Sequence, residues 1–412
     1  MKEQPAANAW MRRGFIMNVG VFLAQVFIFL NLARAGEFWR ADFPMFYTGW
    51  SMVLQGDGAQ LYDLALQARY QAEIVPERDP PGLLPFNYPP HTAVPLCLLA
   101  SLSRDAAFWT WLAVQALLVG VLLHQCLALT SSWSLEARSL LVATVLAFPA
   151  LQGTFQLGQM SLVILVALTG FTCALTTGHS LSAASWLVLA TLKPQLAVVP
   201  IVVVLAGRQW RVLAWSCLLG FLWAALASLV LGPRIWLDWL QVIRESATQA
   251  GVLGIFPDRM YNLKCILYGL LGPDRLSQVN QGSLVLLLLV LGGIAFLWRG
   301  PWPQVPALFL RLGLSFQLGF LANPHLNPAD ALVYVLPALL YCLGSPASGI
   351  KTGVIAGLVL CPLLYHIDCI YVTDWQYHLR PFTLAMIALA GIMAWEEVRQ
   401  RNQACSAGAG NC

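Results

Sequence analysis

Gly282-Ser283-Leu284-Val285-Leu286-Leu287-Leu288-Leu289-Val290-Leu291-Gly292-Gly293-Ile294-Ala295-Phe296-Leu297-Trp298 carries no charged side chain. A helix needs about 20 such residues to cross the ~30 Å hydrocarbon core of a bilayer. The run ends on Trp298 and Arg299, residue types that anchor at the membrane–water interface. Gly14 to Leu32, Ala106 to Leu129 and Gly158 to Leu175 repeat the pattern. Of the 412 residues, 58% are apolar and 10% charged. A soluble domain carries about 25% charged residues, so a water-facing surface for a globule of this length cannot be built here. The reading is an all-α polytopic integral membrane protein with about 10–12 transmembrane helices, residues 1–412 forming a single membrane domain.

Composition excludes several functions. Net charge is +4 and no basic tract exists, so nucleic acid is not an expected partner. The 10 cysteines are scattered, many inside apolar runs (Cys97, Cys126, Cys173, Cys217, Cys361), with no CxxC pair. They read as small packing residues, and no metal and no cofactor is expected. Walker, HExxH and GxSxG motifs are absent, as is a DxD signature in a soluble domain, which argues against a cytosolic nucleotide donor.

The first apolar run follows Arg12 and Arg13 as a signal peptide does, but Arg34-Ala35-Gly36-Glu37 is a poor cleavage site, so a retained span is expected. Two long polar stretches interrupt the spans, 37–88 and 232–281. Within the first, Met45 to Leu54 and Ala59 to Ala72 have helical spacing with aromatic faces and are expected along the membrane surface. Pro90 to Leu102 is short, holds Pro95, and is expected to dip in without crossing. Residues 403–412 are expected to be a disordered tail. With the N-terminus inside, both long loops fall outside. The inside segments then hold Lys2, Arg12, Arg13, Arg138, Arg208, Arg211, Arg299, Lys351, Arg399 and Arg401 against Glu3, Glu136, Glu396 and Glu397. That is the expected positive-inside bias.

This topology places the unusual polar residues on one side. Polar groups at membrane depth cost of order a few kcal/mol each and tend to be paired or functional. Asp42, in Ala41-Asp42-Phe43-Pro44, is either a general base among aromatic side chains or the N-cap of the helix that follows. Tyr88-Pro89-Pro90-His91 is a stiff turn. Gln159 either donates to a sugar hydroxyl or satisfies backbone at a break. Lys193, in Lys193-Pro194-Gln195 between two apolar stretches, demands an anion, which is either a protein carboxylate or a ligand phosphate. Arg234, Arg244, Arg259, Lys264 and Arg275 occupy the second loop, each a solvated charge unless they face an anionic lipid together. Asn323-Pro324-His325-Leu326-Asn327-Pro328-Ala329-Asp330 closes the set. His366, Asp368, Asp374 and His378 follow no chemical pattern and read as an outer loop.

Together these motifs resemble the GT-C class of integral-membrane glycosyltransferases, and within it glycosyltransferase family 87, whose donors are polyprenyl-phosphate mannose. The resemblance rests on Asp42-Phe43-Pro44-Met45-Phe46-Tyr47, Leu61-Tyr62-Asp63, Phe86-Asn87-Tyr88-Pro89-Pro90, Gln156-Leu157-Gly158-Gln159, Leu192-Lys193-Pro194-Gln195 and His325 through Asp330. It implies a GT-C-type fold with Asp42 as catalytic base and inversion at the sugar. It implies that Lys193 and His325 bind the donor phosphate, with Arg259 and Lys264 as further candidates. Tyr47, Tyr88, Gln159, Gln195, Asn262 and Asp330 are the implied substrate contacts. The family often shows Asn-Gln-Ser in the second loop where Tyr261-Asn262-Leu263-Lys264 stands here, which puts Asn262 in doubt. The implied partners are a polyprenyl-phosphate sugar donor, a lipid or glycan acceptor, and membrane lipids. The implied location is the inner (plasma) membrane, multi-pass, with the site on the periplasmic or other extracytoplasmic face. The alternative is a transporter or flippase of a lipid-linked saccharide, since the break at Lys193 has a possible counterpart at Pro324 to Pro328.

Overall fold

The computed structural model describes residues 5–35, 42–76, 83–248, 256–345 and 380–406. Among them every regular element is a helix: α1 (Pro5–Ala35), α2 (Phe43–Leu54), α3 (Leu64–Ile74), α4 (Pro90–Leu96), α5 (Arg104–Leu129), α6 (Leu135–Ala147), α7 (Pro149–Leu157), α8 (Ser161–Thr176), α9 (Ser180–Ala190), α10 (Pro194–Ala206), α11 (Trp210–Leu231), α12 (Ile235–Thr248), α13 (Leu263–Leu271), α14 (Leu276–Leu297), α15 (Ala307–Ala322), α16 (Val335–Gly344) and α17 (Pro381–Ser406), with short 3₁₀ turns between some of them. The chain is an all-α polytopic membrane protein. Five helical segments are long and apolar enough to cross a bilayer: Ala9–Ala33, Arg104–Leu129, Trp210–Leu231, Pro273–Leu297 and Pro381–Gln403. Their outward faces show why water is not the solvent. Leu117, Phe221, Leu229, Leu289 and Phe296 all point away from the protein, as lipid-facing side chains do.

α6 and α7 make a sixth span if taken together, bent by 42°. Pro149, at the start of α7, lacks the N–H that would continue α6. Side chains of α1 bind at the bend: Gln25 Nε2 donates to the Ala147 carbonyl at 2.9 Å and Asn18 Nδ2 to Thr144 Oγ1 at 2.9 Å. α8, α9, α10, α15 and Pro328–Gly344 are apolar but shorter than a full crossing. Two of the gaps beside them, 191–193 and 323–327, are the polar breaks read from sequence, and irregular backbone at that depth is tolerated only where protein or a cavity lines it. α8 sits at the centre, buried on nearly every side. α4 is a single short helix followed by a 3₁₀ turn, Cys97–Ser101, too short to cross. The expected span Gly353 to Tyr371, and His366, Asp368, Asp374 and His378, lie outside the described residues.

α2 is enclosed by protein on every side. Phe43 through Met52 are all buried within the protein, because the helix is apolar on every side and finds protein partners. Phe43 packs edge-on against Phe108 at 5.0 Å, and Phe46 against Tyr88 at 4.8 Å. The inner face of α3 is polar. Gln67 and Gln71 are buried there and grip the backbone of 84–86, with Phe86 N donating to Gln67 Oε1 at 2.7 Å and Leu84 N to Gln71 Oε1 at 2.8 Å. Asp63 caps α3 by accepting from Ala65 N and Leu66 N. At the C-terminus, α17 runs on to Ser406, past the point where the tail was expected to begin.

Candidate functional site

Five separate segments deliver polar side chains to one place. Gln159 Nε2 donates to Asp42 Oδ2. Gln159 Oε1 accepts from Tyr88 OH at 2.9 Å and from Lys193 Nζ at 3.3 Å. Lys193 Nζ also donates to Asp330 Oδ1 and, at 3.4 Å, to Ser161 Oγ, whose own hydroxyl donates to Asp330 Oδ1 at 2.6 Å. The result is one continuous chain from Asp42 through Gln159 to Lys193 and Asp330. The Gln159 side chain bonds other side chains and not backbone at the break. It couples a carboxylate to a lysine.

Local structure explains each placement. Asp42 holds the N-cap position of α2, yet its side chain makes no capping bond. A cap would bond the N–H of the second or third helical residue, and the second here is Pro44, which has none. The carboxylate instead turns to Gln159. Gly158 ends α7 in the left-handed conformation, φ +66°, and a Cβ there would lie 2.9 Å from Phe43 Cβ. Only glycine lets the α7 terminus approach the residue after Asp42 so closely. Its carbonyl accepts from Trp111 Nε1 at 2.9 Å. Pro194 opens α10, so Lys193 sits at the helical break rather than inside a helix. Asn327 and Asp330 form a reciprocal capping box that fixes the Asp330 backbone. Tyr62 OH donates to the Tyr88 carbonyl at 2.6 Å and holds that turn.

Beside this chain lies a cavity of about 290 Å³, lined among others by Asn87, Tyr88, Lys193, Gln195, Trp239, Ile243, Ser246, Lys264 and His325. Its two lysines differ. Lys193 is neutralised by Asp330, both almost fully buried. Lys264 is also buried, but among the described residues no carboxylate pairs with it, and desolvation pushes its pKa down to about 8. Burial lowers that of His325 to about 4, so its imidazole is neutral near pH 7 and acts there by hydrogen bonding. Among the described residues the cavity thus carries one positive charge without a carboxylate partner.

Not every candidate reaches this place. Tyr47 is buried against other aromatic rings and donates to the Leu102 carbonyl at 2.7 Å. Asn262 is fully occupied as a structural residue: its oxygen caps α13 at Cys265 N, 3.1 Å, and its amide donates to the Asn323 carbonyl at 2.8 Å. Arg259 is mostly exposed and stacks on Phe256. Asp330 spends its carboxylate on Lys193, Ser161 and the Asn327 N–H. Gln195 lines the cavity, while its carbonyl accepts from Asn323 Nδ2 at 2.7 Å. Ser161, Trp239 and Ser246 are at the site but go unmarked in the sequence reading. The only sequence signal for the last two is the amphipathic spacing of α12.

The fold is a helical membrane bundle, and its site is a carboxylate wired through an amide to a buried ion pair. The profile of glycosyltransferase family 87 matches residues 86–324. That is more than half of the chain, and the chain belongs to glycosyltransferase family 87. The matched stretch holds Tyr88, Gln159, Lys193 and Lys264, whereas Asp42, His325 and Asp330 lie outside it. No curated protein and no solved structure gives a significant match. The chain is a glycosyltransferase, so the transporter alternative has nothing further to carry it.

Proposed function

We propose that this glycosyltransferase moves a sugar, with mannose the expected one, from a polyprenyl-phosphate carrier to a lipid or glycan acceptor. The reaction takes place on the extracytoplasmic face of the inner membrane and inverts the anomeric centre. The observation that carries this reading is the charge in the cavity. A sugar–phosphate–polyprenol diester bears one negative charge, and Lys264 is the one buried cation there without a carboxylate partner among the described residues. A pyrophosphate-linked or nucleotide donor brings at least two charges, which one lysine matches poorly.

The chemistry balances with few groups. Asp42 accepts the proton of the acceptor hydroxyl as its oxygen attacks the anomeric carbon. The bond from that carbon to the phosphate oxygen breaks, and its electron pair leaves with the phosphate, which becomes a monoester. Lys264 and the His325 N–H stabilise the growing charge. The proton then passes from Asp42 to water. Gln159 keeps the carboxylate oriented and ties its position to the Lys193–Asp330 pair.

Asp42→Asn is the direct test, because Asn keeps an oxygen that can accept from Gln159 while removing the base. With radiolabelled polyprenyl-phosphate mannose and membrane lipid extract, transfer should fall about 10²–10⁴-fold. Binding of the donor should be unchanged. Normal transfer by this variant would remove Asp42 from the mechanism.

A further inference from the structure

We infer that Ser246, on the second long loop, is a ligand-binding residue whose hydroxyl donates to an oxygen of the donor phosphate beside Lys264. The inference rests on the phosphate reading of the cavity and adds a residue, and an element, that nothing above assigns to it.

A serine inside a helix ordinarily donates to the carbonyl four residues earlier. Other serines of this chain do so: Ser216 to Val212 at 2.8 Å, Ser228 to Ala224 at 2.9 Å and Ser315 to Arg311 at 2.8 Å. Ser246 departs from the rule. It is 1% exposed, and among the described residues its Oγ has no hydrogen-bond partner. Leaving a buried hydroxyl unpaired is unfavourable, and Ser246 is one of the residues that line the cavity holding Lys264 and His325. Trp239, Ile243, Ser246 and Ala247 fall at i, i+4, i+7 and i+8, one face of α12, and all four line that cavity. Two hydrogen bonds pin this face in place. Trp239 Nε1 donates to the Asn87 carbonyl at 3.0 Å, and Asn280 Nδ2 to the Ala247 carbonyl at 3.0 Å. The helix face that carries Ser246 is therefore held in place.

Phosphate is the acceptor that fits. Lys264 already demands an anion in the same cavity, and a phosphate presents several oxygens where a sugar hydroxyl presents one. The phosphate also gains a negative charge when the sugar leaves, so a further donor serves the leaving group.

Farnesyl phosphate is a soluble probe of the departing phosphate monoester, and farnesol is its uncharged control. Ser246→Ala should weaken farnesyl phosphate binding to the purified protein about tenfold, as for a hydrogen bond to a charged group. Farnesol binding should not change. Ser246→Thr should restore phosphate binding to near the native value. The thermal midpoint of Ser246→Ala should hold or rise, because the variant deletes an unpaired polar group. A falling midpoint with unchanged phosphate affinity would make Ser246 structural and overturn the inference. Lys264→Met separates the layers. If it weakens farnesyl phosphate binding and Ser246→Ala does not, the serine assignment alone is wrong. If neither variant changes binding, the phosphate reading of the cavity falls, and the serine assignment with it.

Discussion

Lys193 and Lys264 are equally buried, and the difference between them is a partner. Lys193 has Asp330, Gln159 and Ser161 around its ammonium. Among the described residues Lys264 has no carboxylate partner, and burial lowers its pKa to about 8. This difference predicts a pH dependence with a definite sign. A phosphate binds the protonated lysine and raises its pKa in the complex. Affinity for farnesyl phosphate should therefore be flat below pH 8, then fall as the pH rises through that value, by up to about tenfold per unit. The fall should stop once the pH exceeds the raised pKa of the complex. Calorimetric titrations from pH 6.5 to 9.5 would trace it, and in Lys264→Met the dependence should vanish. His325, held near 4 by burial, is neutral across this range and contributes no slope to it.

Two broken helical connections, 191–193 before α10 and 323–327 before the 3₁₀ turn Pro328–Tyr334, are joined by the Lys193–Asp330 pair. Removing one partner strands a buried charge, which costs about 3–5 kcal/mol, whereas replacing both with apolar groups is often neutral. Lys193→Met and Asp330→Leu should each lower the thermal midpoint and the folded yield. The double variant should recover both without recovering transfer, since Gln159 loses the lysine that fixes it. Recovery of transfer as well would show that the pair is only a clamp. The breaks themselves are legible in the sequence, because Lys-Pro and Asn-Pro inside apolar runs admit few readings. Tyr88, Lys193 and His325, which line the cavity, stand out as polar residues beside prolines, whereas Lys264 reads in the sequence as one solvated charge among several. Their pairing is not legible. Lys193 and Asp330 are 137 residues apart, and nothing local tells which lysine a carboxylate neutralises. That protein encloses α2 is not legible, because an all-round aromatic helix suits a bilayer surface and a protein interior alike. Ser246 stayed hidden because a serine on an amphipathic surface helix is unremarkable until its hydroxyl is found without an acceptor.

At the scale of the whole molecule, the cavity must open on the membrane face where its substrate is presented. α11 runs from Trp210 to Leu231, a rise of about 33 Å for its 22 residues. It therefore separates Arg211 from the second long loop by roughly a bilayer core. Arg211 belongs to the basic set expected inside, while Arg259 lies on the loop that also carries Lys264 and Ser246. Both arginines are exposed, so each tolerates cysteine without loss of packing. In intact cells a membrane-impermeant maleimide should label Arg259→Cys above the background of the native cysteines and leave Arg211→Cys unlabelled. In inverted vesicles the pattern should reverse. Labelling of Arg211→Cys in intact cells with Arg259→Cys protected would turn the cavity toward the cytosol. Nucleotide sugars are available there and a polyprenyl carrier is not required, so that outcome would remove the main reason for a lipid-borne donor.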